Sequence, residues 1–368
     1  MGDVKIAFAM MDKFWSMMSY DIAIDLGTAN TLVAIRGKGI MVREPTLLVR
    51  HKKTKQVLAV GQEAKKMLGK TPANLEAVRP LRSGVIADFD AAEALLHAWI
   101  RMVHEPHGWL PRIYKPRVII GIPSGITEVE RRAVQEAAFT AGARKVWLVE
   151  EPMAAAIGSG APVEEPTGVL IVDIGGGTTE IAAISLSGMV VKRSIKMAGD
   201  EMDNAIIQFV RNHYGLLIGE ATAERIKLTI GKVSEDMGKR NNKKTADGKV
   251  QTMIIRGRDL ESGVPKSLAI QSDAISEALY PIVKEILEGV QDTIEEVPPE
   301  LVSDILERGI ILAGGGALLP NLESVMAEYT KMPVWVADDP LTCVVRGCLA
   351  LYERPVLLER VRMVGGLR

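Results

Sequence analysis

A chain of 368 residues is too long for one simple core, so two or more domains are expected. Lys and Arg number 45 against 46 Asp and Glu, a net charge of −1, which argues against a protein built mainly to neutralise nucleic-acid phosphates. The two cysteines, Cys343 and Cys348, are too few for a disulfide framework and fit a reducing cytoplasm, and no apolar run approaches the roughly 20 residues that cross a bilayer.

Residues 1–19 mix acid and base and lack a small-residue cleavage pattern, which argues against a signal peptide. Wound as a helix, they place Phe8, Met11, Trp15 and Met18 on one face, with Met10 and Phe14 beside it. That stripe suits a helix lying in a membrane interface. It suits equally a helix packed on its own protein, and a disordered leader is a third reading.

From residue 20 the sequence repeats itself. Tyr20 to Ile35 is apolar, then a Gly/Thr turn, then apolar again, and Val169 to Ile184 has the same shape. Asp25 and Gly27 match Asp173 and Gly175 at one offset. Past the turn, residues 32–35 match 181–184 at an offset one larger, which puts one extra residue in the second turn. Each copy predicts strand, tight turn, strand, glycine turn and a third strand, so two related α/β domains are expected.

Between the copies, Arg117 to Ile122 is a continuous apolar run, expected of a strand buried on both faces. His107-Gly-Trp-Leu110 precedes it, with Trp109 and Leu110 as a membrane-entering loop or as buried turn residues. Thr127 and Glu130 form a capping box that starts a helix ending at Gly142. A short strand, 146–149, leads to Glu150-Glu-Pro-Met-Ala-Ala-Ala-Ile-Gly158, a helix start with Pro152 in its first turn and an alanine run that leaves room for another helix. Further helices are expected at about 200–214, 221–230, 273–295 and 301–307, with an exposed hairpin or loop at 238–248.

Three turns concentrate small residues at strand ends: Asp25-Leu-Gly-Thr-Ala-Asn30, Asp173-Ile-Gly-Gly-Gly-Thr-Thr179 and Ala313-Gly-Gly-Gly316. Glycine lets backbone N–H groups approach an anion, and threonine adds hydroxyl donors. A carboxylate at the head of such a turn repels phosphate but can hold Mg²⁺ through water, and the ion bridges to the phosphates. The reading is a nucleoside triphosphate shared by Asp25 and Asp173. No P-loop is present, nor a Gly-x-Gly-x-x-Gly opening a helix.

These residues resemble the actin/heat-shock-chaperone/sugar-kinase ATPase superfamily and, within it, the bacterial actins. The resemblance runs from about residue 21 onward and is carried by Asp25-Leu-Gly-Thr-Ala-Asn-Thr31, Ile122-Pro-Ser-Gly-Ile-Thr-Glu-Val-Glu-Arg-Arg132, the 150–158 stretch, Asp173-Ile-Gly-Gly-Gly-Thr-Thr-Glu180, Ala198-Gly-Asp-Glu-Met-Asp203 and Pro298-Pro-Glu-Leu-Val-Ser-Asp-Ile305. It implies the actin-like ATPase fold: two duplicated ribonuclease-H-like α/β domains around a nucleotide cleft, each with a smaller insertion. The implied subdomains are 20–52, 94–157 and 335–368 (IA), 53–93 (IB), 158–199 and 258–334 (IIA), and 200–257 (IIB).

The resemblance also implies roles. Asp25 and Asp173 organise Mg²⁺; Gly27, Thr28, Ala29, Asn30, Gly175, Gly176, Gly177 and Thr178 cradle the phosphates of ATP or ADP. Glu151 positions or activates the attacking water, with Thr178 helping to hold it. Glu224 and Lys227, one helical step apart, serve the nucleoside together with Gly314, Gly315 and Gly316. The family forms paired protofilaments at the inner face of the cell membrane, here through Phe14, Trp15, Trp109 and Leu110, and works with cell-wall synthesis and shape proteins. A chaperone-type switch or a small-molecule kinase of the same superfamily is the competing reading.

Overall fold

In the computed structural model, which describes residues 20–104, 115–234 and 250–363, the chain divides into two units. One combines the residues up to 161 with those from 342 onward; the other is 162–341. The first opens with an antiparallel meander of β1 (Asp21–Leu26), β2 (Asn30–Ile35) and β3 (Gly39–Pro45). A small sheet of β4 (Leu48–His51), β5 (Val57–Val60) and β6 (Leu75–Val78) follows, with α1 (Gly61–Met67) between the last two. The hairpin β7 (Leu81–Arg82) and β8 (Val85–Ile86) leads into α2 (Phe89–His104). Then β9 (Arg117–Ile122), α3 (Glu128–Thr140), β10 (Lys145–Glu150) and α4 (Glu151–Gly158) complete a five-stranded sheet of order β10-β9-β1-β2-β3.

Physical causes for these elements are visible in the sequence. β9 pairs in parallel with β1 on one side and β10 on the other, and Val118, Ile119 and Ile120 are wholly buried, which is why it reads as an unbroken apolar run. The capping box forms as expected: the Thr127 hydroxyl accepts the Glu130 N–H, and the Glu130 carboxylate accepts the Thr127 N–H at 2.7 Å. Leu95, Leu96 and Trp99 of α2 lie in the same core as Ile22, Ile24 and Ile120.

The second unit repeats the plan. Its meander is β11 (Val169–Ile174), β12 (Thr179–Ser185) and β13 (Gly188–Ile195). After α5 (Gly199–Tyr214) come β14 (Leu216–Leu217), α6 (Glu220–Ile230), β15 (Thr252–Asp259) and β16 (Pro265–Gln271), the three strands forming a small sheet. The unit ends with α7 (Ser272–Glu296), α8 (Pro299–Arg308), β17 (Ile310–Ala313), α9 (Leu322–Thr330) and β18 (Val334–Val336). Its sheet runs β13-β12-β11-β17-β18. In both units the meander is joined on the far side of its first strand by two parallel strands. The duplication read from the sequence is therefore a duplication of topology.

One detail of the repeat is corrected. Asp25 faces Leu32 and Leu26 faces Thr31; Asp173 faces Glu180 and Ile174 faces Thr179. The two turns have the same length, and the second holds no extra residue. Glu180 occupies the place of Leu32, only 1% exposed, and its carboxylate accepts the Ser194 hydroxyl at 2.6 Å. Matching apolar to apolar residues slid the register past this buried acid. The added length lies further on, where β12 has 7 residues and β2 has 6.

The chain then returns to the first unit through α10 (Cys343–Ala350) and α11 (Pro355–Val361). The alanine run of α4 admits α10 to backbone contact. A Cβ on Gly158 would collide with the Cys343 carbonyl, and one on Gly347 with the Ala154 carbonyl. Beyond α10, the Tyr352 hydroxyl lies 2.9 Å from the Ile22 carbonyl and 3.0 Å from that of Arg117, and Glu353 pairs with Arg36 at 2.6 Å.

Candidate functional site

In the first unit the β1–β2 turn is fixed from behind. The Thr46 hydroxyl donates to the Gly27 carbonyl at 2.6 Å, and the Thr46 N–H donates to the Ala29 carbonyl at 2.9 Å. The Gly84 N–H, from the tip of the β7–β8 hairpin, donates to the buried Thr28 hydroxyl at 3.1 Å. A Cβ on Gly27 would stand 2.7 Å from the Asn30 carbonyl, so only glycine closes the turn this tightly. With two of its carbonyls bonded to the protein, the turn has the polarity an anion site requires.

Glu151 comes to the same strand ends by another route. β10 stops at Glu150 and α4 begins at once, with Pro152 in its first turn. On β9, Gly121 lies in register with Asp25, and the Cγ of Glu151 is 3.6 Å from where a Gly121 Cβ would stand. Asp25 and Glu151 thus flank one glycine. Burial pushes the Asp25 carboxyl up to about 7. Beneath them lies the buried Cys348 of α10, its Sγ 3.9 Å from the same hypothetical Cβ. Burial foremost, then the charges of Asp25 and Glu151, push its thiol well above the ordinary value, which makes it a neutral floor and not a nucleophile.

The second unit holds its turn with a helix. The Gly199 and Asp200 N–H groups, at the start of α5, donate to the Gly175 and Gly176 carbonyls at 3.2 and 2.7 Å. The turn closes on itself through Gly175 N–H to the Thr178 carbonyl at 2.9 Å, and Thr178 is buried. The glycine triplet 314–316 packs directly behind. Gly314 has φ +78°, and a side chain there would run into the Ile174 carbonyl and the Asp173 carboxylate, while one on Gly316 would strike the Ile174 side chain. Ala313 is in register with Asp173. This unit therefore gathers Asp173, the 175–178 turn and the 314–316 turn at one sheet end.

Lys227 behaves differently from a solvated partner of Glu224. Its ammonium pairs with Asp203 of α5 at 2.9 Å and donates to the Gly199 carbonyl at 2.8 Å, both side chains being 15% exposed. Glu224, on the same helix, acts on Asp203 through its charge. Thr46, Gly84, Gly199, Asp203 and Cys348 were not singled out as site residues from the sequence; only the 198–203 motif pointed toward two of them. The positions Phe14, Trp15, Trp109 and Leu110 lie outside the described residues.

Two sheets of one topology, each bringing its first strand to an aspartate and a glycine turn, define an actin-like ATPase fold. A family model described as MreB/Mbl protein matches residues 19–360. The cell shape-determining protein MreB of Escherichia coli (strain K12) is 50% identical over 342 residues, 92% of this chain and 94% of that protein. Crystal structures of MreB5 of Spiroplasma citri superpose with TM-scores of 0.83 bound to AMPPNP and 0.82 bound to ADP, at 37% and 38% identity, covering 92% and 93% of this chain and 97% and 98% of theirs. The chain belongs to the MreB/Mbl family.

Proposed function

We propose that this chain is an actin-like cytoskeletal ATPase that binds ATP with Mg²⁺, polymerises into membrane-associated filaments and helps maintain rod shape by organising cell-wall synthesis. One observation carries the nucleotide part. Each unit independently carries an aspartate one residue before the end of its first strand, followed by a glycine turn two of whose carbonyls are bonded to the protein. The names of the relatives support the rest: a cell shape-determining protein, and an MreB5 that binds AMPPNP and ADP.

In this reading the turns 27–30 and 175–178 hold the phosphates, and Glu224, Lys227 and 314–316 serve the nucleoside. Of the small sheets, β5 and β6 fall in the 53–93 insertion and β14 and most of β15 in the 200–257 insertion, while β4 and β16 lie just outside these bounds. Among the described residues no group of three or more His, Cys, Asp or Glu is placed to hold a metal. Single aspartates heading each turn fit an ion ligated mainly by phosphates and water, as Mg²⁺ prefers. Asp25 and Asp173 would hold it, and the ion would neutralise phosphate charge.

Glu151 orients the attacking water and accepts its proton, and its place beside Asp25 supports that role. Hydrolysis in place of transfer to a substrate makes the site a timer of assembly. Sedimentation with ATP and Mg²⁺, with filaments seen by electron microscopy, tests the proposal; a protein that stays monomeric at high concentration would refute polymerisation. No helix among the described residues is long and apolar enough to cross a membrane. Membrane contact is assigned to Phe14, Trp15, Trp109 and Leu110, and unchanged liposome pelleting after deleting 1–19 together with Trp109→Ala removes that assignment.

A further inference from the structure

The 198–203 motif supports the glycine turn through Gly199 and Asp200, and its last residue, Asp203, pairs with Lys227 of the next helix. Gly199 is bonded on both sides: its N–H to the Gly175 carbonyl at 3.2 Å, its carbonyl to the Lys227 ammonium at 2.8 Å. A Cβ there would lie 3.3 Å from the Gly175 oxygen, 3.4 Å from Lys227 Nζ and 3.5 Å from Gly176 Cα. Lys227 comes from α6, and what holds it at this height is Asp203, one turn into α5 and 2.9 Å away.

We propose that Asp203 is a positioning residue of the nucleotide site: it holds the Lys227 ammonium against the Gly199 carbonyl and so fixes the 175–178 turn in its phosphate-binding form. The inference rests on the ATP reading above. An ammonium has three donors and no acceptor. One is donated to the Gly199 carbonyl, and the charge is paired with the Asp203 carboxylate 2.9 Å away. Without the carboxylate, a partly buried ammonium with one protein acceptor relaxes toward water, and Gly199 loses the contact that presses it onto the glycine turn. The relay links the helix of the nucleoside to the turn of the phosphates without either touching the other directly.

The charged groups facing Asp203 are Lys227 and Glu224 of α6 and Asp200 of its own helix. Burial first, opposed by Lys227 and reinforced by Glu224 and Asp200, raises its carboxyl to about 6. The brace is therefore complete above pH 6 and lost as pH falls through it.

The test is binding of a fluorescent ATP analogue to the full chain, with circular dichroism as the folding control. Wild type must bind first; if it does not, the ATP reading itself falls. Given binding, Asp203→Asn is expected to weaken it about tenfold, Asp203→Glu to recover part of that loss, and the double variant with Lys227→Met to be no worse than Lys227→Met alone, since both act through one contact. The wild-type advantage over Asp203→Asn should shrink below pH 6. Wild-type affinity in Asp203→Asn, or additive losses in the double variant, overturns the proposal. If Asp203→Asn does not fold, Asp203→Ser takes its place, and wild-type affinity in that variant overturns the proposal as well.

Discussion

In the first unit, the strand beside β1 carries Gly121 opposite Asp25, and the next strand over, β10, runs directly into Glu151. In the second, the strand beside β11 carries Ala313 opposite Asp173 and opens at once onto three glycines. One frame has thus been finished in two ways. A carboxylate at the strand ends suits proton transfer and water activation; a bare glycine turn suits close passage of a flat, uncharged ligand surface. The supports differ too. The first turn is braced by side chains and a hairpin tip, Thr46 and Gly84, the second by the backbone of a helix start. Duplicated halves can keep their glycine turns alike while differing in what stands beside them.

The sharpest way to break this comparison is Glu151→Ala. If chemistry resides in the first unit, hydrolysis should fall by about 10²–10⁴-fold while nucleotide stays bound; wild-type turnover in single-turnover assays removes Glu151 from the mechanism. Next is the helix contact that seats Glu151. Gly158→Val forces α4 off α10 and should cost roughly 3 kcal/mol, read as a lowered denaturation midpoint. The same substitution at the exposed Gly219 should cost far less, because nothing lies within 4 Å of a Cβ there and its φ of −93° is open to any residue.

The two aspartates offer a milder test. Burial favours the protonated form of Asp25 up to about pH 7, and if Asp25 holds Mg²⁺ as proposed, the ion needs the carboxylate. Below pH 7 the Mg²⁺-dependent part of nucleotide binding should therefore weaken about tenfold per pH unit, as one proton must leave, and Asp25→Asn should flatten that dependence. Titration calorimetry across pH 5.5–8 (a range spanning roughly one unit or more on each side of 7) measures it. The smallest effect expected is that of Thr127→Ala. It removes the capping box of α3 for about 1 kcal/mol, a loss with no counterpart among the described helices of the second unit, none of which has a side-chain cap.

Much of this was legible because the relevant forces are local. Apolar runs bounded by glycine marked β1, β2, β9, β11 and β12, and the capping box marked the start of α3. The alanine run announced a close helix but not which one, since Gly347 lies far along the chain. Register failed at Glu180 because a buried acid satisfied by Ser194 looks like a surface residue in sequence. The partner of Lys227 was not legible for a similar reason. Glu224 is its neighbour on the helix, but Asp203 is its neighbour in space, and spacing on one helix says nothing of what packs across from it. The correspondence of 314–316 with the end of β17 was readable as a glycine turn, not as a turn wedged against Asp173.

The return of α10 and α11 to the first unit has a consequence for synthesis. The second unit is a continuous stretch, 162–341, whereas the first needs residues from 342 onward to place α10 against α4 and to bring Tyr352 to Ile22 and Arg117. At about 5–20 residues per second, making 162–341 takes on the order of ten to forty seconds, and the earlier part of the first unit waits that long for its missing helix. The half that carries Glu151 is begun first and finished last, so a nascent chain that stops short of 342 holds the whole second unit while α4 still lacks α10.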